Sequence, residues 1–259
     1  SGHTKAAERK EILEQLKDGS IHILIGTHAL IEENVVFSAL GLVITDEQHR
    51  FGVKQRQALE SKGKSPHVLI MTATPIPRTM ALSVYGDLDV SFIKGMPPGR
   101  HPVKTYVVGS HMLQRIFRFM KKEMESGHQA YVVCPLVEQS EKQDLAAAVS
   151  VYENLRDHVF PQFGVGLVHG RMKNAEKEQV MEDFRKGKFK LLVATSVIEV
   201  GVNVPDATVM FVYGADRFGL SQLHQLRGRV GRGKEQAYCV LYTDNQNETI
   251  RRDLIREAR

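Results

Sequence analysis

VGLVHGRMKNAEKEQVMEDFRKGKFKLLVA (Val165–Ala194) decides the fold. It opens on an apolar strand, Val165–Val168, passes through a helical pattern at Ala175–Lys186, and returns to a second apolar strand, Leu191–Ala194. The strands carry no polar alternation, so both faces of the sheet are expected to be covered. Strand, helix and strand in that order mean parallel pairing with helices on both faces.

The same alternation runs outward in both directions. Towards the C-terminus the expected strands are Thr208–Tyr213 and Ala237–Tyr242, and the helices Ser221–Leu226 and Thr249–Ala258. Towards the N-terminus come strands Val103–Val108 and Ala130–Cys134, and helices Met112–Glu125 and Leu145–Val159. GMPPGRHP (Gly95–Pro102) holds three prolines and two glycines in eight residues. It continues neither a helix nor a central strand and reads as an interdomain linker. The domains expected are therefore 1–96 and 103–259, joined by 97–102.

Before the linker the pattern gives an amphipathic helix at Lys5–Lys17, stopped by Gly19. Strands follow at Ile21–Gly26, Leu42–Thr45, His67–Met71 and Asp89–Lys94, with a helix near Val53–Ser61 and another opened by Pro75 and Pro77. That is few strands for a doubly wound domain, so this part is either minimal or without its first strands. The fold class is α/β, with two parallel-sheet domains in tandem.

Composition narrows the function classes. With 42% hydrophobic and 25% charged residues the chain is that of a globular protein rather than a disordered one. No apolar run approaches the roughly 20 residues of a membrane span. Cys134 and Cys239 sit far apart in apolar runs and read as buried thiols, which fits the cytoplasm better than a disulfide framework. A formal charge of +5 permits a polyanionic partner without requiring one.

In parallel α/β sheets, chemistry gathers beyond the carboxyl ends of strands. Asp46-Glu47-Gln48-His49 follows the strand Leu42–Thr45. Adjacent carboxylates there suit Mg²⁺ binding and polarisation of an attacking water. On the tetrapeptide alone, an ordinary solvated turn is equally good. Thr72-Ala73-Thr74 follows the next strand, where a helix cap is the commoner use of such hydroxyls. Ala194-Thr195-Ser196, with Glu199, Gly201 and Asn203, also lies beyond a strand and suits phosphate binding. His169-Gly170-Arg171 occupies a similar place after Val168. Gln225-Leu226-Arg227-Gly228-Arg229-Val230-Gly231-Arg232-Gly233 spaces three arginines by glycines within six residues. Planar guanidinium groups suit phosphate oxygens, and a bland surface turn gains nothing from glycine's cost.

Lys62-Gly63-Lys64-Ser65 looks like the end of a phosphate-binding loop. However, Ala58 stands where the pattern needs glycine, and the helix precedes the turn instead of following it. HExxH, CxxC and GxSxG patterns do not occur in the sequence.

Taken in order, these motifs resemble superfamily-two helicases. DEQHRFGVKQR, MTATPIPRT, HGRMKNAEKEQVM and RFGLSQLHQLRGRVGRG resemble RecG-type branch-migrating DNA helicases in particular. The transcription-repair coupling translocases are similar but less so at DEQH and HGRM. QLRGRVGR matches the family's arginine-finger pattern Q-x-x-G-R-x-G-R.

The resemblance implies two RecA-like motor domains using ATP and Mg²⁺, and branched DNA (forks and four-way junctions) as partner. By the same resemblance, Asp46 binds Mg²⁺, Glu47 positions the water, and His49 links nucleotide state to domain closure. Thr72 and Thr74 carry that coupling. Gln225, Arg229 and Arg232 face the γ-phosphate. Glu199, Gly201 and Asn203 belong to the stretch that touches nucleotide, while Thr27, His28, Arg171 and Thr195 contact DNA.

The sequence departs from the family in three places. The phosphate-binding loop and its lysine are not among the 259 residues, so the chain by itself is expected not to hydrolyse ATP, and it reads as a fragment of a larger protein. Asn203 stands where the family usually has aspartate, at a nucleotide-sugar contact. Tyr213-Gly214 replaces an acid and an asparagine. Two other readings stay open: a translocase that does not separate strands, and a non-catalytic nucleic-acid-binding module that keeps the motor's shape.

Overall fold

The computed structural model describes residues 4–46, 53–72, 89–93, 95, 99–135, 141–195 and 203–258. The chain divides into two compact units, Ser1–Gly86 and Asp87–Arg259. The boundary falls before the proline-rich segment expected to be the linker.

In the first unit, helix α1 (Ala6–Asp18) ends at Gly19, whose φ of 86° is the left-handed conformation that glycine adopts without strain. A short 3₁₀ turn covers His28–Ile31. Strand β1 (Leu42–Thr45), helix α2 (Val53–Glu60) and strand β2 (His67–Ile70) then form one β-α-β unit. β1 and β2 pair in parallel, Leu42 opposite His67 and Thr45 opposite Ile70. Lys62 forms no phosphate loop: its ammonium donates to the carbonyls of Glu32 (2.7 Å) and Val35 (2.9 Å), tying the end of α2 to the preceding loop.

Two expected strands are not formed. Ile21–Gly26 is unpaired, with Ile23 and Ile25 81% and 89% exposed. Residues 89–93, at the start of the second unit, are likewise unpaired and exposed. An apolar run becomes a strand only where a neighbour takes up its N–H and C=O groups. In the first unit the described pairing is confined to β1 and β2. The outer face of that sheet, formed by Leu42, Ile44, Leu69 and Met71, is also exposed.

The second unit shows the expected alternation in full. Its strands are β3 (Lys104–Val108), β4 (Gln129–Cys134), β5 (Val165–Val168), β6 (Leu191–Thr195), β7 (Ala207–Val212) and β8 (Tyr238–Tyr242). Its helices are α3 (Leu113–Glu125), α4 (Glu141–Asn154, extended by a π-helical turn at Leu155–Val159), α5 (Asn174–Arg185), α6 (Leu220–Arg227) and α7 (Glu248–Ala258). The strands form one parallel sheet in the order β3-β8-β7-β4-β6-β5.

Every residue of β4, β6 and β7 is buried, which is why these segments read as unbroken apolar runs. Successive side chains alternate between two cores. Ala130, Val132 and Cys134 pack with Phe117, Met120 and Met124 of α3 and Ala148 of α4. Tyr131 and Val133 pack on the other face with Met181 and Phe184 of α5, Leu223 and Leu226 of α6, and Leu254 of α7. Burial of such side chains stabilises by roughly 1.5–3 kcal/mol each.

Candidate nucleotide and nucleic-acid sites

In the first unit the parallel register aligns the carboxyl ends of β1 and β2. Met71 N–H donates to the Thr45 carbonyl at 2.8 Å. Asp46 and Thr72, which directly follow these residues, therefore stand side by side at one sheet edge. Beneath Asp46, the Thr45 hydroxyl is buried without a hydrogen-bond partner. Hard oxygen donors at a strand's carboxyl end match what Mg²⁺ takes. Among the described residues no cluster of three or more His, Cys, Asp or Glu side chains forms a metal cage. Thr27 caps the 3₁₀ turn, its carbonyl accepting Leu30 N–H at 3.0 Å, and is exposed. Glu47, His49, Thr74, Glu199 and Gly201 lie outside the described residues, as does the side chain of His28.

The second unit has two chemically distinct edges. At the carboxyl edge, Thr195 ends β6 opposite Cys134 of β4. It is 1% exposed, and its hydroxyl has no hydrogen-bond partner. On the neighbouring strand β5, His169 follows Val168, and its Nδ1 is also buried without a partner. Burial pushes His169 below the usual histidine range, and the positive charges of Lys177 and Arg171 push the same way, so the neutral imidazole is favoured. Arg171 and Lys177 make this corner basic. Lys177 also donates to the Gly170 carbonyl at 2.8 Å, bracing the loop.

The arginine-rich segment lies at the opposite edge. α6 ends at Gly228, whose N–H donates to the His224 carbonyl at 3.1 Å. The chain then runs along the amino ends of the strands. Gly231 N–H donates to the carbonyl of Ala207, the first residue of β7, at 3.4 Å. Gly231 has φ +71°, and a Cβ there would press on Ala237 and Val103 at 3.1 and 3.2 Å. At Gly233 a Cβ would sit 2.7 Å from the Pro205 carbonyl oxygen. The glycines are thus needed for close approach to the sheet's amino edge.

Val230 is buried in the core and pins the loop, with Arg229 and Arg232 on either side in the chain. Arg232 Nε donates to the Gly228 carbonyl at 3.3 Å. Asn203, exposed just before β7, belongs to this same edge. Strands of five residues put roughly 15 Å between the two edges.

This placement corrects one sequence expectation: Asn203, read as lying beyond the strand that ends at Thr195, stands instead just before β7, at the amino edge with Arg229 and Arg232. Asp46, Thr72 and Arg171 follow carboxyl ends of strands, and Thr195 ends β6. Asn203 and Thr195, close in sequence, are separated by the length of the sheet. Tyr213, the departure at Tyr213-Gly214, packs between Phe211 and Tyr242, with ring centroids 4.8 and 5.2 Å away.

A residue that the sequence did not single out also belongs here. Burial pushes the Tyr131 phenol up to about 12, against the opposing charges of Arg229 and Arg232. Standing in an apolar strand, it carried no signal beyond core packing.

Residues 1–82 match the DEAD/DEAH box helicase family and residues 111–234 the helicase conserved C-terminal domain. The ATP-dependent DNA helicase RecG of Bacillus subtilis is 56% identical over 245 residues, which is 95% of this chain and 36% of that relative. RecG of Thermotoga maritima is 52% identical over 247 residues, covering 95% of this chain and 32% of that protein. The chain thus spans about a third of the length of these relatives. A solved RecG bound to a three-way DNA junction superposes with a TM-score of 0.77 at 46% identity, over 99% of this chain and 33% of that one. The Mycobacterium smegmatis helicase Lhr, bound to ssDNA and AMP-PNP, shares the fold at 16% identity and a TM-score of 0.64, over 99% of this chain and 36% of that one. Both motor-domain families occur in helicase order, and RecG identity extends across nearly the whole sequence, so the chain belongs to the RecG-type helicases of superfamily two.

Proposed function

We propose that this chain is the motor segment of an ATP-driven DNA helicase that branch-migrates junctions and regresses stalled forks. The observation that carries the reading is the separation of chemistries in the second unit. Guanidinium groups are anchored at one sheet edge. A buried unpartnered hydroxyl, a neutral imidazole and a basic loop stand at the other. A motor needs this division, because nucleotide and nucleic-acid backbone must be gripped at once by different groups.

In this reading Asp46 holds Mg²⁺, which when bound offsets phosphate charge. Glu47 orients the attacking water and His49 relays nucleotide state, with Thr72 and Thr74 coupling the acids to the DNA grip. Gln225, Arg229 and Arg232 engage the γ-phosphate as charge develops on it. Glu199, Gly201 and Asn203 line the nucleotide side. Thr27, His28, Arg171 and Thr195 take DNA phosphates, so the grip on DNA is set by backbone contacts, not base sequence. Residues 97–102 act as the joint between lobes 1–96 and 103–259. Both cysteines are free and buried, with thiols pushed up to about 12 by burial, which fits a reducing, cytoplasmic setting.

The test vehicle is a chimera in which this chain replaces the 245 matched residues of the Bacillus subtilis relative. The chimera is expected to hydrolyse ATP under stimulation by forked DNA and to regress model forks. The 259-residue chain alone is expected to show no turnover above background, since it contains no G-x-x-x-x-G-K-[ST] loop to cradle the β- and γ-phosphates. Turnover by the isolated chain comparable with the chimera's would refute this assignment of the two half-sites.

Thr195 offers a separate test. A buried hydroxyl without a partner costs about 1–3 kcal/mol, so Thr195→Val is expected to raise the urea midpoint of unfolding. In the proposed reading this hydroxyl is uncovered and meets a DNA phosphate on binding, so the same change is expected to weaken fork binding about tenfold at fixed salt. Unchanged affinity in titrations of labelled fork DNA would remove Thr195 from the DNA-binding set.

A further inference from the structure

The carboxyl edge of the second unit holds a further cation that is built into the fold. After β7 the chain bends through Gly214 into a 3₁₀ turn, Ala215–Arg217, from which it enters α6. That turn is fixed from several sides. Ala215 and Phe218 are buried in the core. Asp216 accepts hydrogen bonds from the Thr243 hydroxyl at 2.6 Å and the Asn245 side-chain amide at 3.0 Å, both just beyond the end of β8. Thr243 is itself tied to the end of β3, its N–H donating to the Val108 carbonyl at 3.0 Å. Arg217 Nη2 donates to Asp144 of α4 at 3.2 Å.

This last pair is asymmetric. The side chain of Asp144 is 8% exposed and that of Arg217 45%. A carboxylate so covered is costly unless a cation stays beside it, so Asp144 keeps the guanidinium in place. The pair uses one donor of a group that carries several in a planar fork. The exposed remainder suits a second acceptor, and a phosphate matches it in charge and geometry. Gly214 has φ +54°, and a Cβ there would stand 3.3 Å from Arg217 Cδ and 3.4 Å from Pro135. The glycine of Tyr213-Gly214 thus leaves room for the Arg217 stem.

Arg217 also extends a row. Arg171 follows β5, Thr195 ends β6 and Arg217 follows β7, in the strand order β7-β4-β6-β5. At about 4.8 Å between strands, these elements span roughly 15 Å of the edge. That is about the run of four nucleotides of one strand at about 3.4 Å each.

We propose that Arg217 is a further DNA-phosphate contact, preset by Asp144 and by the clamped turn, which carries the grip of the carboxyl edge from β5 and β6 across to β7. The proposal rests on the reading of that edge as the DNA side. An ion pair with a structural role alone would join α4 to the turn and leave DNA binding unchanged.

The salt dependence of binding separates the two roles, because each phosphate neutralised by a cation steepens the fall of log K with log salt by about 0.9. Labelled fork DNA is titrated with the chimera, without nucleotide, over a series of salt concentrations. Arg217→Gln is expected to weaken binding about fivefold at about 0.1 M salt and to lower the slope by about one. Arg217→Lys keeps the charge but not the fork, and is expected to hold the slope with a loss of about threefold. The double variant Asp144→Asn/Arg217→Gln leaves no covered carboxylate without its cation, and is expected to lose what Arg217→Gln loses. Arg118→Gln, at an exposed position on α3, removes the same formal charge elsewhere and is expected to leave the slope unchanged.

A wild-type slope in Arg217→Gln or in the double variant overturns the proposal. So does a fall in slope for Arg217→Lys, or an equal fall for Arg118→Gln, which would make the effect one of net charge. Arg171→Gln separates this contact from the reading beneath it. If Arg171→Gln lowers the slope and Arg217→Gln does not, only Arg217 fails. If neither lowers it, the carboxyl edge is not the DNA side.

Discussion

Arg229→Ala in the chimera is expected to lower DNA-stimulated kcat by about a thousandfold, the low end of the effect of an arginine that meets a γ-phosphate in its transition state. The loop that carries it is fixed at three points: the Gly231 bond to Ala207, the burial of Val230, and the close approach of Gly233 to Pro205. Little searching is therefore left to the guanidinium group, and removing it removes a preorganised charge. Arg229→Lys is expected to recover only a small part, because an ammonium cannot reproduce the planar two-pronged contact. Fork affinity without nucleotide should stay within about twofold, since the phosphate contacts proposed for the carboxyl edge lie roughly 15 Å away. A parallel loss of fork affinity would place Arg229 on DNA instead.

Glu47→Gln is expected to reduce kcat by about a hundredfold or more while preserving ATP binding. A carboxylate that orients and polarises water supplies that order of acceleration as a general base, and the amide keeps the shape without the basicity. Glu47 comes next in the sequence after Asp46, which follows a strand whose register with β2 is fixed. Rapid-quench measurement of one turnover distinguishes chemistry from product release. Wild-type single-turnover rates would show that another group activates the water.

The fold was legible wherever burial was complete. β4, β6 and β7 are buried at every position, so their apolar runs admit no other reading, and the helices between them have the spacing that covers a parallel sheet. Ile21–Gly26 has the same apolar character but no strand beside it, and composition alone does not supply a pairing partner. Asp46 at the end of β1 and Thr195 at the end of β6 were legible because strand termini are visible in sequence. The amino-edge position of Arg229 was legible in principle, since any segment between a crossover helix and its next strand returns to that edge.

The division of labour between the two edges is tested most directly by a structure of the chimera with forked DNA, Mg²⁺, ADP and aluminium fluoride. The expected result has Arg229 and Arg232 within about 3 Å of the fluoride oxygen-mimics, a hydrogen-bonding distance, with Glu47 across the same nucleotide and Thr195 on a DNA phosphate. A complex in which Arg229 contacts DNA, or in which Thr195 lies against the nucleotide, would contradict it.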